Sequence, residues 1–109
     1  MFIMNQKNGD DILAERKRST LRPIRANGKG YFKEGNIYWV HIGRDFTQPH
    51  LCRVQVNKVS FVDIEDLGAK DWEALGYESK AEYMGEPFNK NNPSTERVRY
   101  DFKLIKEVL

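Results

Sequence analysis

The sequence predicts a small α+β domain: a compact barrel or strongly curved sheet of about five or six strands, with two or three short helices over its openings. Three observations lead there. Segments alternating apolar and polar residues with period two recur along the chain, most clearly Val98, Tyr100, Phe102 and Leu104 against Arg97, Arg99, Asp101 and Lys103. Helical patterning is confined to short stretches. The 109 residues, 39% apolar and 12% aromatic, suffice for one modest core, so a single domain over 1–109 is expected.

In chain order, Phe2 to Met4 reads as a first strand. Asn8, Gly9 and Asp10 offer a helix start with acids in the first turn, Ile12 and Leu13 its buried face, and Arg16, Lys17 and Arg18 cations for its last turn. Ser19 to Pro23 is a short strand that Pro23 ends, and period two puts Thr20 and Arg22 on one face. A glycine-rich connection, Arg25 to Gly30, lacks the spacing of a Walker loop. Glu34-Gly35-Asn36 turns into a branched and aromatic strand from Ile37 to Ile42.

Residues 43–50 form a hairpin connection, and Cys52, Val54 and Val56 alternate with polar neighbours in a half-buried strand that Val59 to Ile64 extends or follows. Residues 69–86 are helical in character; Gly76 interrupts them, and Ser79 with Glu82 forms a capping box for a second short helix. Residues 87–95 have the composition of a loop. An amphipathic strand over 96–108 closes the chain.

The charge is uneven. The net value is +2, yet Arg16 to Lys33 holds seven cations and no acid, while Asp63 to Glu86 holds eight acids and two lysines. A segment of that kind attracts phosphate even on a nearly neutral molecule, unless the two halves face each other and cancel. Cys52 is the only cysteine, so neither an internal disulfide nor a cysteine-based zinc site is possible. With two histidines, no metal and no cofactor are expected. No stretch approaches the ~20 apolar residues of a membrane span, and a reduced cytoplasmic interior is the expected setting.

Several pieces resemble one family. The segment Asp10 to Pro23 looks like the signature of ASCH domains, of the PUA-like superfamily: Ile12-Leu13, then Lys17, then Thr20-Leu21-Arg22, followed by the turn Phe32-Lys33-Glu34-Gly35. Residues 74–84 resemble the family's helix pair and residues 97–105 its closing strand. The resemblance implies a small PUA-like β-barrel with a cleft, and partners among RNA, nucleotides or modified nucleosides. The N-terminal motif is nearest to the bacterial acetylcytidine amidohydrolases, whose lysine and threonine match Lys17 and Thr20. Their glutamate falls at Leu75, with Glu73 and Glu78 as neighbouring carboxylates.

Chemically, cations gathered around Lys17 would lower its pKa, letting it take the Thr20 proton for attack on an amide carbonyl. The same residues serve a binding module: Lys17 and Arg22 on an anion, Thr20 hydrogen-bonded to it, and Trp72 or Tyr77 stacked on a base. Trp72, at helical spacing from Leu75, fits a core position better. Arg16, Arg18, Arg25, Lys29 and Arg99 would extend a phosphate track. The first expectation is therefore an RNA-, nucleotide- or nucleoside-binding domain. An amidohydrolase using Lys17, Thr20 and Glu73 or Glu78 is the alternative, beside a single-stranded RNA nuclease, which the resemblance also implies. A protein-docking domain with basic and acidic halves stands as the third.

Overall fold

In the computed structural model, which describes residues 1–106, five strands form one sheet. β1 (Phe2–Met4) is followed by α1 (Gln6–Leu13), β2 (Ser19–Pro23), β3 (Ile37–Ile42) and the long β4 (Cys52–Asp63). A single 3-10 turn (Ile64–Asp66) leads into three short helices, α2 (Ala69–Leu75), α3 (Lys80–Met84) and α4 (Pro87–Lys90). β5 (Glu96–Ile105) then returns along β4. The order across the sheet is β1-β3-β4-β5-β2, antiparallel except for the β1–β3 pair. The final expected strand reached to residue 108; positions 107 and 108 lie outside the described residues.

The β4–β5 ladder is the spine, running from Arg53 opposite Ile105 to Asp63 opposite Glu96, with a bulge between Val56 and Lys58. A bulge steepens the local twist, and the sheet curls until its outer strands face each other. No ladder joins β1 to β2. Instead Arg22 Nη2 reaches across from β2 and donates to the Ile3 carbonyl at 3.1 Å. Inside the curl, Phe2, Ile12, Val40, Val54, Val56, Val98, Tyr100 and Phe102 make the main core. Ile64, Trp72, Leu75 and Tyr83 make a second cluster under the helices, with Leu21 of β2 packed against it. Trp72 is thus a core residue.

Four details differ from the sequence reading. α1 starts earlier, because the Asn5 side chain rather than Asn8 caps it, accepting from Asn8 N at 2.8 Å. It ends at Leu13, and Glu15, at φ 60° in the left-handed region, turns the chain away, so Arg16 to Arg18 follow the helix instead of closing it. The expected loop over 87–95 begins with α4, which Pro87 opens at a position where its missing N–H costs nothing. Finally, the capping box is only half formed. Ser79 accepts from Glu82 N, whereas the Glu82 carboxylate accepts from Glu78 N rather than Ser79 N. None of the described helices is long and apolar enough to cross a membrane.

Candidate functional site

Lys17 is the unusual residue of the chain. It sits between α1 and β2 with its side chain 3% exposed, under Gly76 and Tyr77. Two backbone anchors hold it there: Lys17 N donates to Asp11 O at 3.0 Å, and the next residue, Arg18, donates from N to Ala74 O at 2.7 Å. Lys17 Nζ donates to the Leu75 carbonyl at 2.5 Å and lies 5.5 Å from the Tyr77 ring centroid. No carboxylate pairs with it among the described residues. Burial, reinforced by the Arg22 guanidinium, pulls its pKa from 10.5 down to about 7. The direction is the one that the basic cluster suggests, but desolvation is the first cause, and Arg16 and Arg18, both exposed, are not among its causes. A neutral amine can donate to the carbonyl and still keep a lone pair.

Lys17, Thr20, Arg22 and Tyr77 line one cavity of about 470 Å³ at the seam between β1 and β2. β2 supplies Thr20 and Arg22, two positions apart on one face, as period two requires. Gly76 ends α2 at φ +88°, a left-handed conformation that releases Tyr77 from the helix and aims it back over Lys17. Tyr83 of α3, Glu86, and Asn89 and Phe88 of α4 form the opposite wall, and Arg44 from the β3–β4 connection lies at the rim.

The carboxylate of this cavity is Glu86, which the sequence reading did not select. Tyr77 Oη donates to Glu86 Oε1 at 2.5 Å, and Asn89 Nδ2 approaches the same oxygen at 3.4 Å. Burial and the Glu86 contact push the Tyr77 phenol well above its ordinary range, so it stays protonated and donating. Tyr83 is fixed from behind by Arg97, whose Nε donates to Tyr83 Oη at 3.0 Å. Arg97 belongs to the polar positions of the strand's alternation, yet it is fully buried because α3 covers that end of β5. Phe88 is 62% exposed at the mouth, a free aromatic face.

The other sequence candidates divide by position. Leu75 does not face the cavity; its side chain is fully buried in the helical core, and only its carbonyl reaches Lys17. Glu73 and Glu78 also lie elsewhere, with Arg16 and Arg18, on a separate open groove of about 720 Å³ beside α1. There, part of the basic segment faces part of the acidic one, and Arg16 is paired with Asp11 at 2.9 Å. Arg99 joins Asp71 of α2 at 2.7 Å and Asp101 at 3.0 Å, which anchors the helix to the sheet and leaves it outside the cavity. Arg25 lines a second, adjoining cavity, and Lys29 is exposed in the glycine-rich connection. The signal that could have found Glu86 is local: an acid directly before a proline that opens a helix.

No family model matches the chain, and no curated protein matches it by sequence. Solved structures do match in fold. An ASCH domain from Lactobacillus crispatus aligns with a TM-score of 0.69 at 16% identity, covering 89% of this chain and 69% of that one. A protein of the DUF984 family from Enterococcus faecalis gives 0.69 at 15%, covering 96% and 76%. The ASCH protein of Zymomonas mobilis gives 0.68 at 10%, covering 96% and 68%. At these identities the likeness is one of architecture, and it agrees with the resemblance carried by Lys17, Thr20-Leu21-Arg22 and the Phe32–Gly35 turn. The chain has the fold of these ASCH domain structures, a small α+β unit with a curled five-stranded sheet.

Proposed function

We propose that this domain, acting as one unit, binds an RNA-type ligand in the Lys17 cavity: single-stranded RNA, a nucleotide or a modified nucleoside. The observation that carries the reading is the lining of that one cavity. Its volume falls within the ~300–1,000 Å³ of ligand sites. Arg22 and Arg44 suit a phosphate or sugar oxygen, Thr20, Asn89 and Glu86 suit the edge of a base, and the Phe88 ring suits its face. A cytoplasmic setting accords with Cys52, a half-buried thiol whose pKa burial raises and which is therefore poorly reactive.

The test is fluorescence polarisation of labelled single-stranded oligoribonucleotides, with calorimetry of ribonucleosides, across a salt series. Binding that weakens with salt and falls at least tenfold in Arg22→Ala is expected. Affinity unchanged in Arg22→Ala, with the fold verified by circular dichroism, would remove the cavity from consideration.

A second reading is favoured by one specific observation: an amine with a pKa of about 7 shares the cavity with a threonine and a carboxylate. Neutral Lys17 would take the Thr20 hydroxyl proton as Oγ1 attacks an amide carbonyl. The C–N bond then breaks, the proton passes by way of Glu86 to the leaving amine, and water hydrolyses the threonyl ester. Acetate release from acetylcytidine should rise with pH through about 7, as Lys17 loses its proton. It should fall by roughly 10²-fold or more in Thr20→Val and Glu86→Gln. No release by the wild-type protein sinks this second reading.

A further inference from the structure

The Lys17 cavity does not end at Arg22. A second cavity of about 270 Å³ lies directly beyond it, and the two share Ile3, Arg22, Pro23 and Arg44 as walls. Its character is different. Three guanidinium groups, Arg22, Arg25 and Arg44, line it, and no aspartate or glutamate does. None of the three has a carboxylate partner among the described residues. The main cavity, by contrast, contains Glu86.

The geometry points to a phosphate subsite: this compartment takes the phosphoryl group of a nucleotide whose base lies in the main cavity, so the domain selects phosphorylated ligands over free nucleosides. The inference rests on the reading of the main cavity as a nucleoside-type site.

Two further observations support it. Arg22 Nε is buried and has no hydrogen-bond partner, although Nη2 of the same group is held by Ile3 O and Met4 Sδ. A guanidinium fixed at one corner lines both cavities with one N–H still unpaired within the wall, a polar group that an oxyanion reaching it would satisfy. The glycine-rich connection is also shaped around Arg25. Gly30, at φ +81°, lies so close that a Cβ there would stand 2.8 Å from Arg25 Nη1, and Tyr31 Oη accepts from Arg25 N at 2.9 Å. Gly30 thus packs against the Arg25 guanidinium, and both residues line the compartment.

Isothermal titration calorimetry with the four ribonucleosides and their 5′- and 3′-monophosphates tests this, on wild type and Arg25→Ala. Arg25 is the discriminating position because it lines only the second cavity. At least one monophosphate is expected to bind tenfold or more tightly than its nucleoside. Arg25→Ala should erase most of that advantage while leaving nucleoside affinity within twofold. Equal affinities for nucleosides and monophosphates would overturn the subsite and leave the main cavity's reading standing. A phosphate advantage that survives Arg25→Ala would place the anion elsewhere and equally overturn it. Binding of none of the compounds would overturn the subsite, and the oligoribonucleotide titrations would then decide the main cavity by themselves.

Discussion

Replacing Lys17 with methionine leaves an unbranched side chain one atom shorter and removes the charge, so it exposes the cost of burying an ammonium. In the folded state the pKa is about 7, against an ordinary value of 10.5. The folded pKa lies below the unfolded one, so at pH values between them the unfolded chain holds more protons. Wild-type stability from this group therefore rises with pH through the window from about 7 to 10.5 and is flat at its lowest below about 7. At ~1.4 kcal/mol per unit, the full burden near pH 6 is roughly 5 kcal/mol, shrinking to roughly 1.5 kcal/mol at pH 9.5. The methionine escapes that burden but leaves the Leu75 carbonyl without its donor, a loss of about 1–3 kcal/mol. Lys17→Met should therefore be about 2–4 kcal/mol more stable than wild type at pH 6 and close to it at pH 9.5. Urea denaturation of both proteins at the two pH values measures the difference, and all other titrating groups cancel. A stability difference that does not change between pH 6 and 9.5 would refute the claim that Lys17 is neutralised by burial.

The remaining expectations concern packing. Leu75→Glu, the change that would restore the carboxylate position of the acetylcytidine amidohydrolases, should destabilise by roughly 3 kcal/mol or more, because it buries an acid among Ile64, Trp72 and Tyr83. A soluble Leu75→Glu protein melting like wild type would mean that the side chain can turn out of the core. Gly9→Ala should lower stability by about 1 kcal/mol or more despite the better helix propensity, since its Cβ would lie 2.3 Å from Ile42 Cδ1 and 2.8 Å from Leu51 Cδ2. Thermal denaturation at or above the wild-type midpoint contradicts this. Arg99→Ala should cost about 1–2 kcal/mol, because Asp71, Asp101 and Ser19 lose a shared partner, while Arg18→Ala at an exposed site should stay within about 0.5 kcal/mol. Equal effects from the two arginines would show that the α2 anchor is not energetically distinct.

The strands are legible in the sequence because burial on a sheet is written with period two, and β5 carries that pattern plainly in Val98, Tyr100 and Phe102. Arg97 breaks the pattern for a reason that alternation cannot express: the polar face of a strand is solvated only until a helix lands on it, and α3 lands there. Lys17 is a similar case. In sequence it is the middle of three cations read as a helix's last turn; in space its two neighbours are exposed while it alone is folded under Tyr77. The common face of Thr20 and Arg22 was legible because it follows from the strand period. Glu86 was not, since its place in the cavity depends on α4, four residues inside a segment of loop-like composition. Glu73 and Glu78 lie away from the Lys17 cavity, because two or three residues along or past α2 change the direction of a carboxylate completely.

The seam between β1 and β2 has a mechanical consequence. Both cavities open along it, and the edges of the sheet are joined there by the side chain of Arg22, held by the Ile3 carbonyl and Met4 Sδ, instead of by a ladder. Parting two laddered strands means breaking several backbone bonds together, whereas this seam is crossed by the contacts of one side chain, Arg22, with Ile3, Met4 and the Phe2 ring. The container is in effect hinged along its long spine and latched at its lip. If the proposed ligand draws Arg22 to itself, it would loosen the lip by the act of binding and leave the β4–β5 spine undisturbed.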